Sequence, residues 1–344
     1  MCHFDRIYQL GDSISDTGNL ICESTIGAGT PFAKLPYGET YFKNATGRCS
    51  NGLLMIDYLA TATGLPFLDP YLNKSGDFGH GVNFAVAGST ALPVEFLAKK
   101  NISTMVTRSS LDVQLGWMST HFNSTCHNER DCLEMLKSSL FMIGEIGGND
   151  YNYALLGGKT MEDIKDIILD VVETITEAVR TVIQYGAVRV VVPGNFPIGC
   201  FPLYLTVFKT NDTTAYDEHH CLKELNGLSI YHNNHLKMAI EELKQEFPNT
   251  VIVYGDYYNA FEWLFMEAPQ IGFDDASLQK ACCGIGGEYN FNMFKNCGAP
   301  DVPVCSNPDE FISWDGVHLT QHAYLIMAGR LIDDILPQLL CNFI

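Results

Sequence analysis

The fold is decided near the start of the chain, where residues 6–19 read RIYQLGDSISDTGN. The apolar, β-prone run at its head predicts a strand over Arg6–Leu10. Gly11 follows at once and lets the backbone turn tightly at the carboxyl end of that strand. Comparable short apolar runs predict four more strands, at 82–86, 140–143, 188–192 and 251–254.

Amphipathic stretches lie between the predicted strands. Apolar residues recur at helical spacing over Met161–Tyr185, and Gly186 provides a stop signal. The same pattern predicts helices over Leu222–Phe247 and over Thr320–Leu340, the second of which begins with a candidate N-cap. Strands that alternate with helices, without an internal repeat or a linker, predict an α/β fold. We therefore expect a single domain over residues 1–344, a flavodoxin-like three-layer α/β/α sandwich around a central parallel sheet.

The composition is that of a folded, acidic protein. The chain has 344 residues, of which 47% are hydrophobic and only 18% are charged, and this excludes a disordered chain. Its formal net charge of −19 argues against binding to nucleic acid or to anionic membranes. That charge modestly favours a cationic ligand, although solubility is the simpler explanation. Because no run of about eighteen apolar residues is present, we expect no membrane span.

Twelve cysteines indicate disulfides rather than a zinc site, because no gap between them matches the usual ligand spacing. Disulfides in turn imply an oxidising compartment. Cys126 and Cys132 form a plausible local pair, and the sequence leaves the other pairings open. The cysteines are Cys2, Cys22, Cys49, Cys126, Cys132, Cys200, Cys221, Cys282, Cys283, Cys297, Cys305 and Cys341.

Five Asn-x-Ser/Thr sequons agree with secretion. We therefore expect a protein of the secretory pathway, in the vacuole, the apoplast or the endoplasmic reticulum, with a targeting segment removed ahead of Met1. The candidate glycosylation sites are Asn44, Asn73, Asn101, Asn123 and Asn211.

Four short motifs carry the candidate chemistry. They are Gly11-Asp12-Ser13, Asn83–Gly88, Gly147–Asp150 and Asp315–His318. Each has an ordinary interpretation on its own, as a strand-to-helix turn or a helix cap. Together they supply a serine hydroxyl, an imidazole, a carboxylate and donors for an oxyanion, which are the groups that acyl transfer needs. The chain contains no Gly-x-Ser-x-Gly sequence, which excludes the nucleophile elbow of the α/β-hydrolases.

Each motif has a candidate role in that chemistry. Ser13 lies just past the first predicted strand, at the sheet edge where open α/β sheets bind ligands. A serine hydroxyl needs a base to react near neutral pH, and His318 is the candidate base, with Asp315 fixing its tautomer. The backbone N–H groups of Ser13 and Gly88 and the side-chain amide of Asn149 would form the oxyanion hole.

Residues 11–19 resemble the opening block of the plant GDSL esterase/lipase family, a branch of the SGNH hydrolases. The other three motifs resemble later blocks of that family, and the resemblance covers nearly the whole chain. One departure is Ile14, where the family has leucine, an apolar residue of equal size. The resemblance implies a sandwich of the SGNH hydrolase type, the catalytic and oxyanion roles given above, and ester hydrolysis without a metal or another cofactor.

Four further stretches resemble members of the family that deacetylate an alkaloid. This resemblance implies a small-molecule substrate that carries a short-chain ester, an acetyl ester of a plant specialised metabolite such as an alkaloid. Three alternatives remain: an acyltransferase that uses the same acyl-enzyme, a lipase for longer acyl chains, and a catalytically inactive secreted binding or defence protein. The sequence leaves the oligomeric state open. The four stretches are Tyr37–Thr40, Thr46–Ser50, Phe196–Cys200 and Cys282–Gly287.

Three other features allow weaker predictions. The segment Tyr257–Ser313 is long, irregular and rich in cysteine, and we expect it to form one wall of the substrate pocket. His232 and His235 lie on a helix without a third ligand nearby, so we expect both to face solvent. Five aromatic residues after predicted strand ends fit a ligand pocket and the core equally well: Tyr151, Tyr153, Phe196, Phe201 and Tyr204.

Overall fold

The computed structural model describes residues 4–104, 106–126 and 128–339. Within them, five strands form one parallel sheet in the order β2-β1-β3-β4-β5. This confirms the predicted α/β fold around a central parallel sheet. The strands are β1 Arg6–Leu10, β2 Gly81–Asn83, β3 Ser139–Ile143, β4 Arg189–Pro193 and β5 Val251–Gly255.

Helices cover both faces of this sheet in the described part of the chain. They are α1 Asn19–Glu23, α2 Thr25–Ala28, α3 Met55–Ala62, α4 Val94–Lys99, α5 Leu111–Thr125, α6 Glu129–Lys137, α7 Gly148–Leu156, α8 Met161–Tyr185, α9 Pro202–Val207, α10 Lys223–Glu246, α11 Tyr257–Glu267 and α12 Gln321–Gln338. Helices α8 and α10 pack together on one face, whereas α12 packs against α3 and α11 on the other. None of these helices combines the length and apolar character that a membrane span needs.

Local signals explain why α8 has the predicted bounds. At its start, the Thr160 hydroxyl accepts the Asp163 N–H at 3.2 Å, and the Asp163 carboxylate accepts the Thr160 N–H at 3.1 Å. At its end, Gly186 has a φ of 121°, which favours glycine. Helices α10 and α12 lie within two residues of their predicted bounds, although Leu340, the predicted last residue of α12, lies outside the described residues.

Strand β2 is shorter than the prediction, which extended it to residue 86. The side-chain amide of Asn19 donates to the carbonyl groups of Asn83 and Ala85, both at 2.8 Å. The Asn83 side chain in turn accepts the Ala85 N–H at 2.9 Å. These side-chain bonds take the place of strand pairing at the Asn83 and Ala85 carbonyls, although the Phe84 N–H still donates to the Gln9 carbonyl of β1 at 2.7 Å. No local sequence pattern reveals them.

The segment predicted to be irregular begins with a helix, α11. Asp256 caps it by accepting the Asn259 N–H at 3.2 Å. Tyr257, Phe261 and Leu264 then form a buried stripe at helical spacing. The prediction of an irregular segment was therefore wrong for Tyr257–Glu267. Both signals for the helix are local and can be read in the sequence.

Four disulfides lie among the described residues: Cys126–Cys132, Cys200–Cys221, Cys282–Cys305 and Cys283–Cys297. The first confirms the predicted local pair. Cys22 and Cys49 are free thiols. Cys2 and Cys341 lie outside the described residues.

Candidate active site

The structure brings Ser13, His318 and Asp315 into one hydrogen-bonded chain. The Oγ of Ser13 lies 2.8 Å from Nε2 of His318, although the two residues are 305 positions apart. The Nδ1 of His318 lies 2.7 Å from Oδ2 of Asp315. Ser13 is 8% exposed and His318 is 7% exposed, so solvent reaches only a small part of the pair. This is the arrangement that a serine nucleophile, its base and an orienting carboxylate require.

One short turn delivers both the imidazole and the carboxylate. The Oδ1 of Asp315 accepts the backbone N–H groups of Val317 at 3.0 Å and His318 at 2.8 Å. The turn closes where the Trp314 N–H donates to the His318 carbonyl at 2.7 Å. Because the carboxylate holds the backbone that carries the imidazole, its other oxygen is aimed at Nδ1.

Gly88 lies where only glycine fits. Its φ is +83°, and a β-carbon there would lie 2.8 Å from Cβ of Val106 and 3.1 Å from the hydroxyl of Tyr153. Tyr153 also donates to the Gly88 carbonyl at 2.9 Å, which holds the Gly88–Ser89 peptide on the other side of the glycine. Among the hydrogen bonds of the described residues, neither the Gly88 N–H nor the Ser13 N–H has a partner. Both donors are therefore available to an oxyanion.

Asn149 lies beside the turn Gly11–Ser13, here called the nucleophile turn, but both hydrogens of its amide already have acceptors. Its Nδ2 donates to Oδ2 of Asp12 at 3.1 Å and to the Ser89 carbonyl at 2.9 Å. An amide nitrogen has two hydrogens. Asn149 can therefore serve an oxyanion only if one N–H turns away from its present partner.

Comparison with known proteins identifies the family. The model of the family described as GDSL-like Lipase/Acylhydrolase matches residues 7–331. The chain belongs to this family. It is a carboxylic ester hydrolase of the GDSL type, as the resemblance of its four motifs implied.

Three relatives of this GDSL hydrolase align along almost their whole length. Acetylajmalan esterase 1 of Rauvolfia serpentina is 46% identical over 343 residues, which cover 100% of this chain and 89% of that protein. Acetylajmalan esterase 2 of the same plant is 44% identical, with 99% of this chain and 93% of that protein covered. A GDSL esterase/lipase of Arabidopsis thaliana is 46% identical, with 99% and 92% covered.

Neighbouring carboxylates make the imidazole of His318 more basic in this GDSL hydrolase. Burial alone would lower the pKa of His318, but the charge and hydrogen bond of Asp315, together with the charge of Asp12, raise it overall. Burial alone would raise the pKa of Asp315, but the His318 charge and the hydrogen bonds to the carboxylate lower it overall. Asp315 therefore stays ionised next to a histidine that is more basic than usual.

Tyr37 touches the Asp315 carboxylate, and the sequence analysis missed it. Its hydroxyl donates to Oδ2 of Asp315 at 2.8 Å, and the residue is 2% exposed. Phe32 lies edge-on against the His318 ring, with 5.8 Å between ring centroids. Tyr37 had been noted only within a stretch of family resemblance. Its 278-residue separation from Asp315 hides the contact from any local pattern.

Asp16 ties the nucleophile turn to the loop that carries Gly88. Desolvation raises the pKa of this buried carboxyl to about 6, against the effect of the hydrogen bonds that it accepts. The sequence analysis quoted Asp16 within residues 11–19 but assigned it no role. Its two oxygens accept four backbone N–H groups at 2.6–3.1 Å, those of Gly18, Asn19, Leu20 and Ala87.

Asp150 has the matching role for the third motif. Its two oxygens accept the N–H groups of Ala91 at 2.8 Å and Leu92 at 3.0 Å. Burial raises the pKa of Asp150 to about 7. Gln114 on α5 adds a third tie, because its side chain accepts the Gly11 N–H at 2.9 Å and donates to the Gly11 carbonyl at 2.8 Å. No motif pointed to Gln114.

The prediction that His232 faces solvent was wrong. The residue has 0% exposure, and its Nδ1 lies 2.7 Å from the Tyr151 hydroxyl. Burial, with a smaller effect of His235, lowers the pKa of His232 to about 3, so this imidazole is neutral. His235 is half-buried and lies edge-on against Tyr231. All five aromatic residues that fitted either a pocket or the core are buried.

The cysteine-rich segment packs against the turn that carries His318. The Cys283 N–H donates to the Trp314 carbonyl at 2.7 Å. A side chain at Gly316 would collide with the ring of Phe291. These contacts place the segment behind the Trp314–His318 turn, and its role as a wall of the substrate pocket stays a prediction.

The five sequons differ in exposure. Asn73 is half-buried, whereas Asn44, Asn101, Asn123 and Asn211 are exposed. Asn123 lies inside helix α5. Glycosylation at these positions stays a prediction.

Proposed function

We propose that this esterase hydrolyses a short-chain ester, in particular an acetyl ester of an alkaloid or a similar plant specialised metabolite, through an acyl-enzyme on Ser13. The observation that carries the chemistry is the chain of contacts from Ser13 to His318 at 2.8 Å and from His318 to Asp315 at 2.7 Å. A base in hydrogen-bond contact with the hydroxyl can take its proton as the new bond forms.

In the first half of the reaction, Ser13 Oγ attacks the ester carbonyl carbon while its proton passes to Nε2 of His318. Asp315 stabilises the imidazolium that results. The carbonyl oxygen becomes an oxyanion, which the N–H groups of Ser13 and Gly88 and a turned Asn149 amide bind. His318 then protonates the leaving alkoxide oxygen, the C–O bond breaks, and the alcohol departs from an acyl-serine.

Water completes the second half. Nε2 of His318 takes a proton from water as its oxygen attacks the acyl carbon, and the same donors bind the second oxyanion. The bond to Ser13 then breaks, the serine oxygen recovers a proton from His318, and the carboxylic acid leaves. No step in this sequence needs a metal or a redox cofactor.

Two observations support the choice of substrate. Relatives named acetylajmalan esterase are 44–46% identical along the whole chain, and their name describes an acetyl ester. The net charge of −19 attracts cations, and alkaloids commonly carry a protonated amine. Four disulfides among the described residues agree with an oxidising, secretory location, and we propose the vacuole, the apoplast or the endoplasmic reticulum.

The test is mass spectrometry of the purified protein with a panel of acetylated and methyl-esterified alkaloids, with Ser13→Ala as the matched control. We expect loss of the acetyl mass with the native protein and a fall in kcat of about 10³ or more with Ser13→Ala. Near-normal turnover by Ser13→Ala would contradict the mechanism.

Other results of the same panel separate the alternatives. Labelling of Ser13 by a fluorophosphonate without turnover of any alkaloid would keep the chemistry and reject the substrate class. Transfer of the acetyl group to an added alcohol would indicate an acyltransferase, and rates that rise with acyl length on nitrophenyl esters would indicate a lipase. Absence of both labelling and turnover would indicate a binding protein.

A further inference from the structure

Two carboxyl groups lie buried against each other beside the nucleophile turn. Asp12 directly precedes Ser13, and Glu145 follows the end of β3. Asp12 is 3% exposed, Glu145 is 4% exposed, and their side chains are hydrogen-bonded to each other. A hydrogen bond between two carboxyl groups requires a proton on one of them.

No lysine or arginine of residues 4–104, 106–126 or 128–339 forms an ion pair with either group. Asp12 faces His318 and also the carboxyl of Asp16, and Glu145 faces the carboxyl of Asp150. The nearby phenols on α7, α9 and α11 carry no positive charge, and they belong to Tyr151, Tyr204 and Tyr257.

The shared proton belongs on Glu145. Burial raises the pKa of both groups, and the charge of Asp12 raises the pKa of Glu145 further, to well above its ordinary value. Asp12 is the better site for the negative charge because it accepts the Ile14 N–H at 3.0 Å and the Asn149 amide at 3.1 Å and faces His318. Glu145 accepts the Gly148 N–H, but it faces the carboxyl of Asp150 instead of a histidine.

This arrangement bears directly on the engaged Asn149 amide. One of its two hydrogens points at Asp12 and the other at the Ser89 carbonyl. When Asn149 turns an N–H from Asp12 to an oxyanion, Asp12 keeps the Ile14 N–H and the Glu145 hydroxyl as donors. If Glu145 were ionised, Asp12 would lose a donor, and a second negative charge would lie close to the developing oxyanion.

We propose that protonated Glu145 is a positioning residue of the oxyanion hole, which holds Asp12 and so allows Asn149 to turn to the oxyanion. This inference rests on the proposed ester hydrolysis at Ser13. Because the oxyanion exists only in the tetrahedral transition states and intermediates, Glu145 should affect kcat rather than KM.

Two substitutions with opposite expectations test the role. Glu145→Gln keeps an N–H donor in the place of the carboxylic acid, and we expect kcat within about threefold of the native value. Glu145→Met keeps the length but has no donor, and we expect kcat to fall about 10²-fold with KM within about twofold, as for the loss of an oxyanion donor. The assay is hydrolysis of 4-nitrophenyl acetate near neutral pH.

The pH profile provides a second, independent readout. Burial and the charge of Asp12 raise the pKa of Glu145 well above its ordinary value, so the native enzyme should lose kcat on the alkaline side as Glu145 ionises. Glu145→Gln cannot ionise at this position, so its alkaline limb should be absent. This comparison remains valid even if Glu145→Met does not fold, since it needs only the native and Gln proteins.

The inference is overturned if Glu145→Met folds and has native kcat, or if Glu145→Gln keeps the same alkaline limb as the native enzyme. It is equally overturned if folded Glu145→Gln is as slow as Glu145→Met. Far-ultraviolet circular dichroism and Tm establish folding. If native protein neither hydrolyses the ester nor labels with a fluorophosphonate, the proposed function itself has failed.

Discussion

The proposed nucleophile and the proposed base of this esterase are supported by different kinds of structure. Around Ser13, buried polar side chains such as Asp16, Asp150 and Gln114 accept or donate hydrogen bonds to the backbone of several loops. Around His318, disulfides and aromatic rings support a single turn. The nucleophile side is thus a polar network, and the base side is a cross-linked apolar cluster.

The base-side cluster contains Tyr37, Cys282, Cys283, Cys297 and Trp314, all buried. Its two disulfides hold a segment that has little regular secondary structure of its own. We therefore expect the contact between Ser13 and His318 to depend on two separate supports. A polar network fails when one acceptor is removed, whereas a cross-linked cluster fails when its covalent links are removed.

Among the substitutions that test these two supports, we expect the strongest effect from Asp16→Ala, on the side of Ser13. Four buried N–H groups would lose their acceptor, and each such group costs about 1–3 kcal/mol. We expect kcat/KM to fall at least about 10²-fold, because the loop that carries Gly88 is no longer held at the Ala87 N–H. Asp16→Asn, which keeps one acceptor oxygen, should recover part of the loss. Native kinetics in Asp16→Ala would contradict the network's role.

The next effect tests the base side by removing a disulfide. The double substitution Cys283→Ala/Cys297→Ala should lower the unfolding free energy by about 2–5 kcal/mol and lower kcat by about tenfold or more, because the Trp314–His318 turn loses its backing. The matched control is Cys126→Ala/Cys132→Ala, in a disulfide at the α5–α6 junction. We expect native kcat in the control, and equal losses in both variants would contradict a local effect.

A smaller effect is expected from Tyr37→Phe, which keeps the ring and removes one donor to Asp315. With one donor fewer, the negative charge of the Asp315 carboxylate is less offset and interacts more strongly with His318. The pKa of His318 should therefore rise, and the acid limb of kcat/KM should move to higher pH. The looser carboxylate should lower kcat about three- to tenfold, or roughly 0.7–1.4 kcal/mol. A limb that stays in place or moves to lower pH would contradict this contact.

The last prediction concerns the native enzyme and the pH at which its kcat/KM falls on the acid side. His318 must be neutral to act as a base, so activity falls as the pH drops through its pKa. Asp315 and Asp12 together raise that pKa above the ordinary value of about 6.5, against the effect of burial. The limb measured by kcat/KM should therefore lie above about pH 6.5. A profile that is flat from about pH 5 to 8 would argue against a histidine base.

Some of the fold could be predicted because the signals were local. Strand β1 and helix α8 lie at their predicted bounds, since an apolar run, a capping pair and a terminal glycine are all read within a few residues. Strand β2 could not be delimited, because the Asn19 side chain that takes its last carbonyl lies on helix α1, 64 residues away in sequence. The burial of His232 could not be predicted either, because its hydrogen-bond partner, Tyr151, lies on another helix, α7.

The family, the enzyme class and the candidate chemistry follow from the amino-acid sequence alone, because serine, histidine, aspartate, glycine and asparagine occur in four recognisable motifs. The surroundings of those residues depend on the packing of the whole chain. Tyr37 meets Asp315 across 278 residues, Gln114 meets Gly11 across 103, and Glu145 meets Asp12 from the next strand of the sheet. Proton affinities and hydrogen-bond partners depend on distance in space, and distance in space is set when the whole chain packs.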